Sequence, residues 1–175
     1  MLRGELTGLR ALTDADIEIF ETELLTDVET RIRATGRPWL PVAPGAPDSP
    51  YRQAEDRNAV IRFSVIELAT GELAGEAGMS GIDLHNRHAE IGLLLRPACR
   101  ARHPGTDAVR VLCHYGFVIR GLHRLQITTL ADNHAMIAAA VRAGFVLEGT
   151  SRDVAWIDGG FADGVTLSQL AGEWS

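Results

Sequence analysis

Residues 89–108 read AEIGLLLRPACRARHPGTDA. The first eight are apolar apart from Glu90 and Arg96, the composition of a central strand. Asp107–Arg120 then places Ala108, Val111, Leu112, Tyr115, Val118 and Ile119 at helical spacing, and Gly121 stands where a helix terminator belongs. Strand, short turn and helix therefore follow one another directly. Such a turn holds a phosphate when its backbone N–H groups and the helix N-terminus point at one spot. Glycine normally gives the chain the freedom to do this. Here there is only Gly105, with His103 and Pro104 before it, and proline has no N–H. Arg100, Arg102 and His103 can supply charge instead. The other reading is a plain turn in which Thr106 caps the helix.

The elements around this stretch come from spacing and punctuation. GELTGLRALT (4–13) alternates loosely, and Thr13 with Asp14 and Asp16 marks a helix start. The stripe Ile17, Phe20, Leu24, Val28 and Ile32 predicts one helix over 15–34. GRPWLPVAPGAPDSPYR (36–52) holds five of the seven prolines, one every third residue, and reads as extended chain. Strands are expected at 59–68, 73–84, 89–96, 125–132, 145–157 and at GVTLSQLA, with DGGFAD (158–163) as a hairpin turn. HAMIAAAVRA is a second helix, capped by Asp132 or Asn133 and ended by Gly144. The expected architecture is α/β (α+β), a mixed, mostly antiparallel sheet of about seven strands flanked by helices. One domain over 1–175 is expected, because too little chain precedes the proline segment to fold alone.

Composition narrows the partners. The 175 residues are 46% hydrophobic, and the formal net charge is −6 with a pI near 5.5. Nucleic acid is a poor partner for such a surface, since affinity for it rests on neutralised phosphates. A small cationic molecule suits it better. No long uncharged apolar run suggests a membrane span, and MLRGELTGLR lacks the apolar stretch of a signal peptide. Cys99 and Cys113 have neither metal nor redox spacing, which suits free thiols in the cytoplasm. The six histidines show no ligand pair on one helix face, so no metal site is expected.

The ordered set of motifs resembles the GNAT superfamily of acyl-CoA-dependent N-acetyltransferases. Within it the chain is most similar to the branch that acetylates the N-termini of ribosomal proteins and to its antibiotic-modifying relatives. The matching pieces are LR-L-T-D at the start, GEAGMSGI, AEIGLLLRP, VLCHYGF, GLHRLQI, DN with GF eleven residues later, LEGTSRD, W-x-DG-x-F-x-D and a closing EW. The resemblance implies transfer of an acetyl group from acetyl-CoA, or another acyl-CoA, to a primary amine of a small molecule or a peptide N-terminus. It leaves a homodimer open. It also makes 100–105 the pyrophosphate loop, with Ala101 and His103 where glycines are usual.

The implied cofactor residues are Gly92, Leu93, Leu94 and Leu95 through their backbone, then Arg100, Ala101, Arg102, His103, Gly105, Thr106 and Asn133. An ordinary apolar strand explains 92–95 equally well, and a helix N-cap explains Asn133. Glu90 is the first candidate base, because a carboxylate interrupts an apolar strand just before the loop. Its other reading is a structural partner for an arginine. Glu76, Asp153 and Asp158 are rival bases, and His134 is a minor acid/base candidate. Trp39, Tyr51 and Glu76 fall where the family builds its acceptor pocket, although anchoring aromatics in a solvated loop fit as well. Two departures stand out. Met136 occupies a position where this branch often has serine, and Ala140 one where many members have tyrosine. They motivate an alternative reading, a degenerate fold that binds a ligand or protein partner without catalysis.

Overall fold

The computed structural model describes residues 1–53, 56, 59–102 and 104–174. The chain begins with strands β1 (Leu2–Arg3) and β2 (Thr7–Arg10), helix α1 (Asp14–Phe20), a π-helical turn (Glu21–Leu25) and helix α2 (Val28–Thr35). Strands β3 (Ile61–Glu67), β4 (Leu73–Asp83) and β5 (His88–Leu95) follow, then a 3-10 turn (Pro97–Arg102) and helix α3 (Pro104–His114), which ends in a second π-helical turn (Tyr115–Ile119). Strand β6 (Arg124–Leu130), helix α4 (His134–Arg142) and the hairpin of β7 (Val146–Ile157) and β8 (Gly160–Leu170) complete it.

The eight strands form one sheet in the order β1-β2-β3-β4-β5-β6-β8-β7. Every neighbouring pair is antiparallel except β5 and β6, which the α3 crossover makes parallel. The eighth strand, beyond the expected seven, is the two-residue β1 against Gly8 and Leu9. α3 and α4 cover one face of the sheet. There Ala108, Val109, Leu112 and Cys113 pack on Met79, Ile91, Leu125, Ile127 and Leu167. On the other face α1 and its π-helical turn bury Phe20, Leu24 and Leu25 against Tyr51, Ile66 and Leu73. Among the described residues, no helix is long and apolar enough to cross a membrane.

The helix expected over 15–34 is two helices. Thr13 starts the first with a reciprocal capping box to Asp16. The buried Asp16 carboxylate also takes Arg10 and the Ser64 hydroxyl, tying α1 to β2 and β3. The second helix begins afresh at Asp27, whose side chain accepts the Thr30 N–H at 3.1 Å. Val28, expected on the apolar stripe, is exposed. Between the helices, Glu21 is fully buried and accepts Arg52 through two bonds of 2.8 Å and the Gly45 N–H at 2.9 Å. A buried charge needs such partners, and here they hold down the proline segment.

Two boundaries also shift. α3 starts at Pro104, so Thr106 lies inside its first turn and is not a cap. The last hairpin turns at Asp158-Gly159 alone, both at positive φ, and Phe161 is already in β8.

Candidate functional site

The parallel pair β5–β6 is short. His88, Ala89 and Glu90 face Arg124, Leu125 and Gln126, and beyond Glu90 the two strands have no register with each other. Residues 91–95 stay paired to β4, and 127–130 to β8. The strands thus part in a V, and the edges facing the gap keep backbone groups free for a ligand. A cavity of about 900 Å³ fills this opening, roofed by α2 and closed by the first turn of α3 and by α4.

Glu90, Gly92, Leu93, Leu94, Leu95, Arg100, Gly105, Thr106 and Asn133 all line it. Glu90 stands at the last register before the strands part. It is half-buried, and among the described residues its carboxylate has no hydrogen-bond or ion-pair partner. The structural reading of Glu90 as an arginine's partner is therefore not what the fold shows. A Cβ at Gly92 would meet nothing within 4 Å, so this glycine leaves space open in the cleft. Asn133 is the N-cap of α4, accepting the Met136 N–H at 3.3 Å, and its amide donates to the Thr129 hydroxyl at 2.9 Å. Arg100 donates to the Leu95 carbonyl and lies 3.3 Å from Asp27. His103 and the side chains of Ala101 and Arg102 lie outside the described residues.

The other sequence candidates sit elsewhere. Tyr51 is buried beside the Phe20 ring and donates to Glu76 at 2.8 Å. Burial, and then the Glu76 charge, push its phenol well above its ordinary range. Arg62 caps the Tyr51 ring at 5.3 Å. Trp39 donates its Nε1 to the Leu25 carbonyl at 2.9 Å. These three residues, Tyr51, Glu76 and Trp39, anchor the proline segment and α1 and do not line the cavity. Asp153, Asp158 and the exposed His134 do not line it either.

Sequence reasoning missed the roof and one end. Asp27, Glu29 and Arg33 of α2 face the cavity, as does Arg142 of α4. Arg33 reaches across to Asp132 at 2.5 Å. Burial pushes the Asp27 carboxyl up, but its bonds from Thr30 and Arg100 outweigh this and leave it below its usual range. Arg96, just before the turn, is fixed by two bonds to Glu23 and one to the Leu73 carbonyl. The cavity therefore has arginines at its outer end, a strand edge along its length, and one unpaired carboxylate at its apex. It suits an elongated ligand with an anionic head and an amide-bearing arm.

Neither cysteine is placed to act as a nucleophile. Both are buried, and burial pushes the Cys113 thiol up to about 12. Among the described residues, no three His, Cys, Asp or Glu side chains cluster as metal ligands do.

Comparison with known proteins gives the same architecture. Residues 7–146 match the family model described as an acetyltransferase (GNAT) domain. YdaF of Bacillus subtilis (strain 168), named provisionally as a ribosomal N-acetyltransferase, is 34% identical over 107 residues, 61% of this chain and 58% of YdaF. A protein of Bacillus licheniformis named as an uncharacterized N-acetyltransferase, p20, is 32% identical over 114 residues, 65% of this chain and 64% of p20. Both matches span less than two thirds of the relative's own length. In structure, the spermidine N-acetyltransferase of Vibrio cholerae in complex with CoA and spermine superposes with a TM-score of 0.85 at 20% identity, covering 96% of this chain and 97% of that one.

Proposed function

The chain belongs to the acetyltransferase (GNAT) domain family, and on that premise we propose that it transfers an acetyl group from acetyl-CoA to a primary amine. The observation that carries this reading is the parting of β5 from β6 directly after Glu90, which has no partner among the described residues. The acceptor is a small cationic amine or a peptide N-terminus. The net charge of −6 and the carboxylates of Glu29 and Glu90, without an ion pair among the described residues, support a cationic acceptor, as does the activity named for the Vibrio enzyme, while the name of YdaF supports a peptide N-terminus.

Acetyl-CoA, when bound, supplies the activated acyl carbon and a thiolate leaving group. The free edge of β5 over 92–95 offers N–H groups to the carbonyl oxygen that gains charge during attack. Glu90 takes a proton from the ammonium form of the acceptor, directly or through a water. A lysine-like amine holds that proton up to a pH of about 10, and an α-amine to about 8, so some base is needed. Attack is direct, because the two buried thiols give no covalent relay. Met136 lines the cavity and Ala140 is fully buried, and neither a thioether nor a methyl group has a proton to hand to the leaving thiolate. Water serves there, since a thiolate is a tolerable leaving group. The two buried cysteines, which form no disulfide with each other, support a reducing compartment such as the cytoplasm.

Two measurements test this. Calorimetry with acetyl-CoA reads the first step, and a thiol-detecting reagent reads turnover with a diamine, a polyamine and a short peptide. Absence of binding at millimolar acetyl-CoA refutes the proposal. Binding without thiol release from any amine favours the alternative that Met136 and Ala140 motivate, a module that holds acyl-CoA without turning it over.

A further inference from the structure

We infer that Arg142 grips the pyrophosphate of acyl-CoA, replacing with a guanidinium what the glycine-poor loop lacks in backbone. The inference rests on the acyl-CoA reading of the cavity given above. It starts from a deficit. Between Pro97 and Asp107 the only glycine is Gly105, and Pro104, the first residue of α3, has no N–H to offer.

Arg142 lies in the last turn of α4, remote in sequence from the loop. Helical side chains lean toward the N-terminus of their own helix. This one accordingly reaches back along α3, and its Nε meets the Thr106 hydroxyl at 3.3 Å, in the first turn after the loop. Its backbone is fixed as well, because its carbonyl accepts Arg110 at 2.9 Å. Arg142 thus faces the cavity at the end where Gly105 and Thr106 also line it.

Among the described residues three arginines line the cavity, and two already have carboxylate partners. Arg33 pairs with Asp132 at 2.5 Å and Arg100 with Asp27 at 3.3 Å. Arg142 has no carboxylate partner among the described residues, and its one side-chain bond goes to a neutral hydroxyl. A guanidinium has five N–H donors in a planar fork that matches two phosphate oxygens. The one acid in the first turn of α3, Asp107, does not oppose this. Its carboxylate turns away and accepts the N–H groups of Glu5, Leu6 and Thr7 and the Thr7 hydroxyl.

Calorimetry with CoA and with 3′-dephospho-CoA tests the assignment on the 175-residue chain. Arg142→Ala should weaken both nucleotides by about tenfold or more, the loss expected for a charge-assisted bond. Arg142→Lys should fall between, and Arg152→Ala, exposed on β7 and outside the cavity, should bind like the wild type. In turnover, Arg142→Ala should raise KM for acetyl-CoA with kcat unchanged. Wild-type affinity in Arg142→Ala overturns the inference. So does a loss seen with CoA but absent with 3′-dephospho-CoA, which would move Arg142 to the 3′-phosphate. A wild-type protein that binds neither nucleotide removes the acyl-CoA reading itself. Wild-type binding with an unaffected variant removes only the role of Arg142.

Discussion

Asp107→Asn isolates what ties the first turn of α3, at the loop end of the cavity, to the start of the chain. In the native protein Oδ1 accepts the Glu5 N–H at 3.0 Å, while Oδ2 accepts the N–H groups of Leu6 and Thr7 and the Thr7 hydroxyl. Gly4 leaves room for this, since a Cβ there would come within 2.4 Å of Oδ2. An asparagine can place its one oxygen where Oδ2 was. Its NH2 then faces the Glu5 N–H, donor against donor. One lost bond with a stranded donor costs about 1–3 kcal/mol. Loss of the charge weakens the other three, and we expect a total near 3 kcal/mol, roughly. For a chain of this length that is a fall in Tm of roughly 6–12 °C.

The pH dependence gives the sign. Burial pushes the Asp107 carboxyl up, but the Thr7 hydroxyl and the three backbone N–H groups outweigh it and hold it below its usual range. Its folded value is therefore under the unfolded value of about 3.9. The unfolded chain takes up the proton first, so this stabilisation is whole at neutral pH and is lost as pH falls through the folded value. Asparagine does not titrate. Thermal and urea unfolding of both proteins should show a gap that is full at neutral pH and narrows below a pH of about 4. An unchanged Tm at neutral pH refutes the reasoning, as does a gap that widens with acid.

Three further outcomes are expected. Glu90→Gln should lower kcat/KM for an amine by about 10²- to 10⁴-fold while leaving CoA affinity intact; unchanged turnover removes Glu90 as the base. Gly92→Val should fold normally, because nothing lies within 4 Å of the new Cβ, yet lose turnover by filling the cleft; an active variant would place the substrates elsewhere. Tyr51→Phe should cost about 1 kcal/mol in urea unfolding through its lost bond to Glu76; a raised KM for the amine instead would put Tyr51 in the site.

The sheet was legible because its strands are punctuated by turns and its apolar residues alternate or run together. One continuous strand-turn-helix stretch also carried most of the cavity wall; adjacency to the turn singled out Glu90 and the loop, while Gly92–Leu95 came from the family resemblance, since an apolar strand alone does not mark a ligand edge. The residues missed come from far along the chain. Asp27 reads as one more acid in an acidic helix, and Val28 beside it fits the apolar stripe by spacing, so nothing in the periodicity showed that the helix restarts there with Val28 exposed. Arg142 reads as a solvated residue on a helix surface, since periodicity says nothing about which other helix lies beside it. Trp39 and Tyr51 misled for a different reason. Aromatics in a proline-rich segment look available for a ligand, but their polar atoms already go to the Leu25 carbonyl and to Glu76.

α2 buries none of its own residues and meets the rest of the molecule through the Asp27–Arg100 and Arg33–Asp132 ion pairs and partial packing of Ile32. Exposed ion pairs of this kind contribute little to stability. The roof of the cavity is thus nearly uncoupled from the cost of keeping the chain folded. On the proposed reading, substitutions at Glu29 or Ala34 would change amine preference while the β5–β6 cleft stays as it is. Amine preference would then be the trait of this scaffold most open to drift, and to directed evolution.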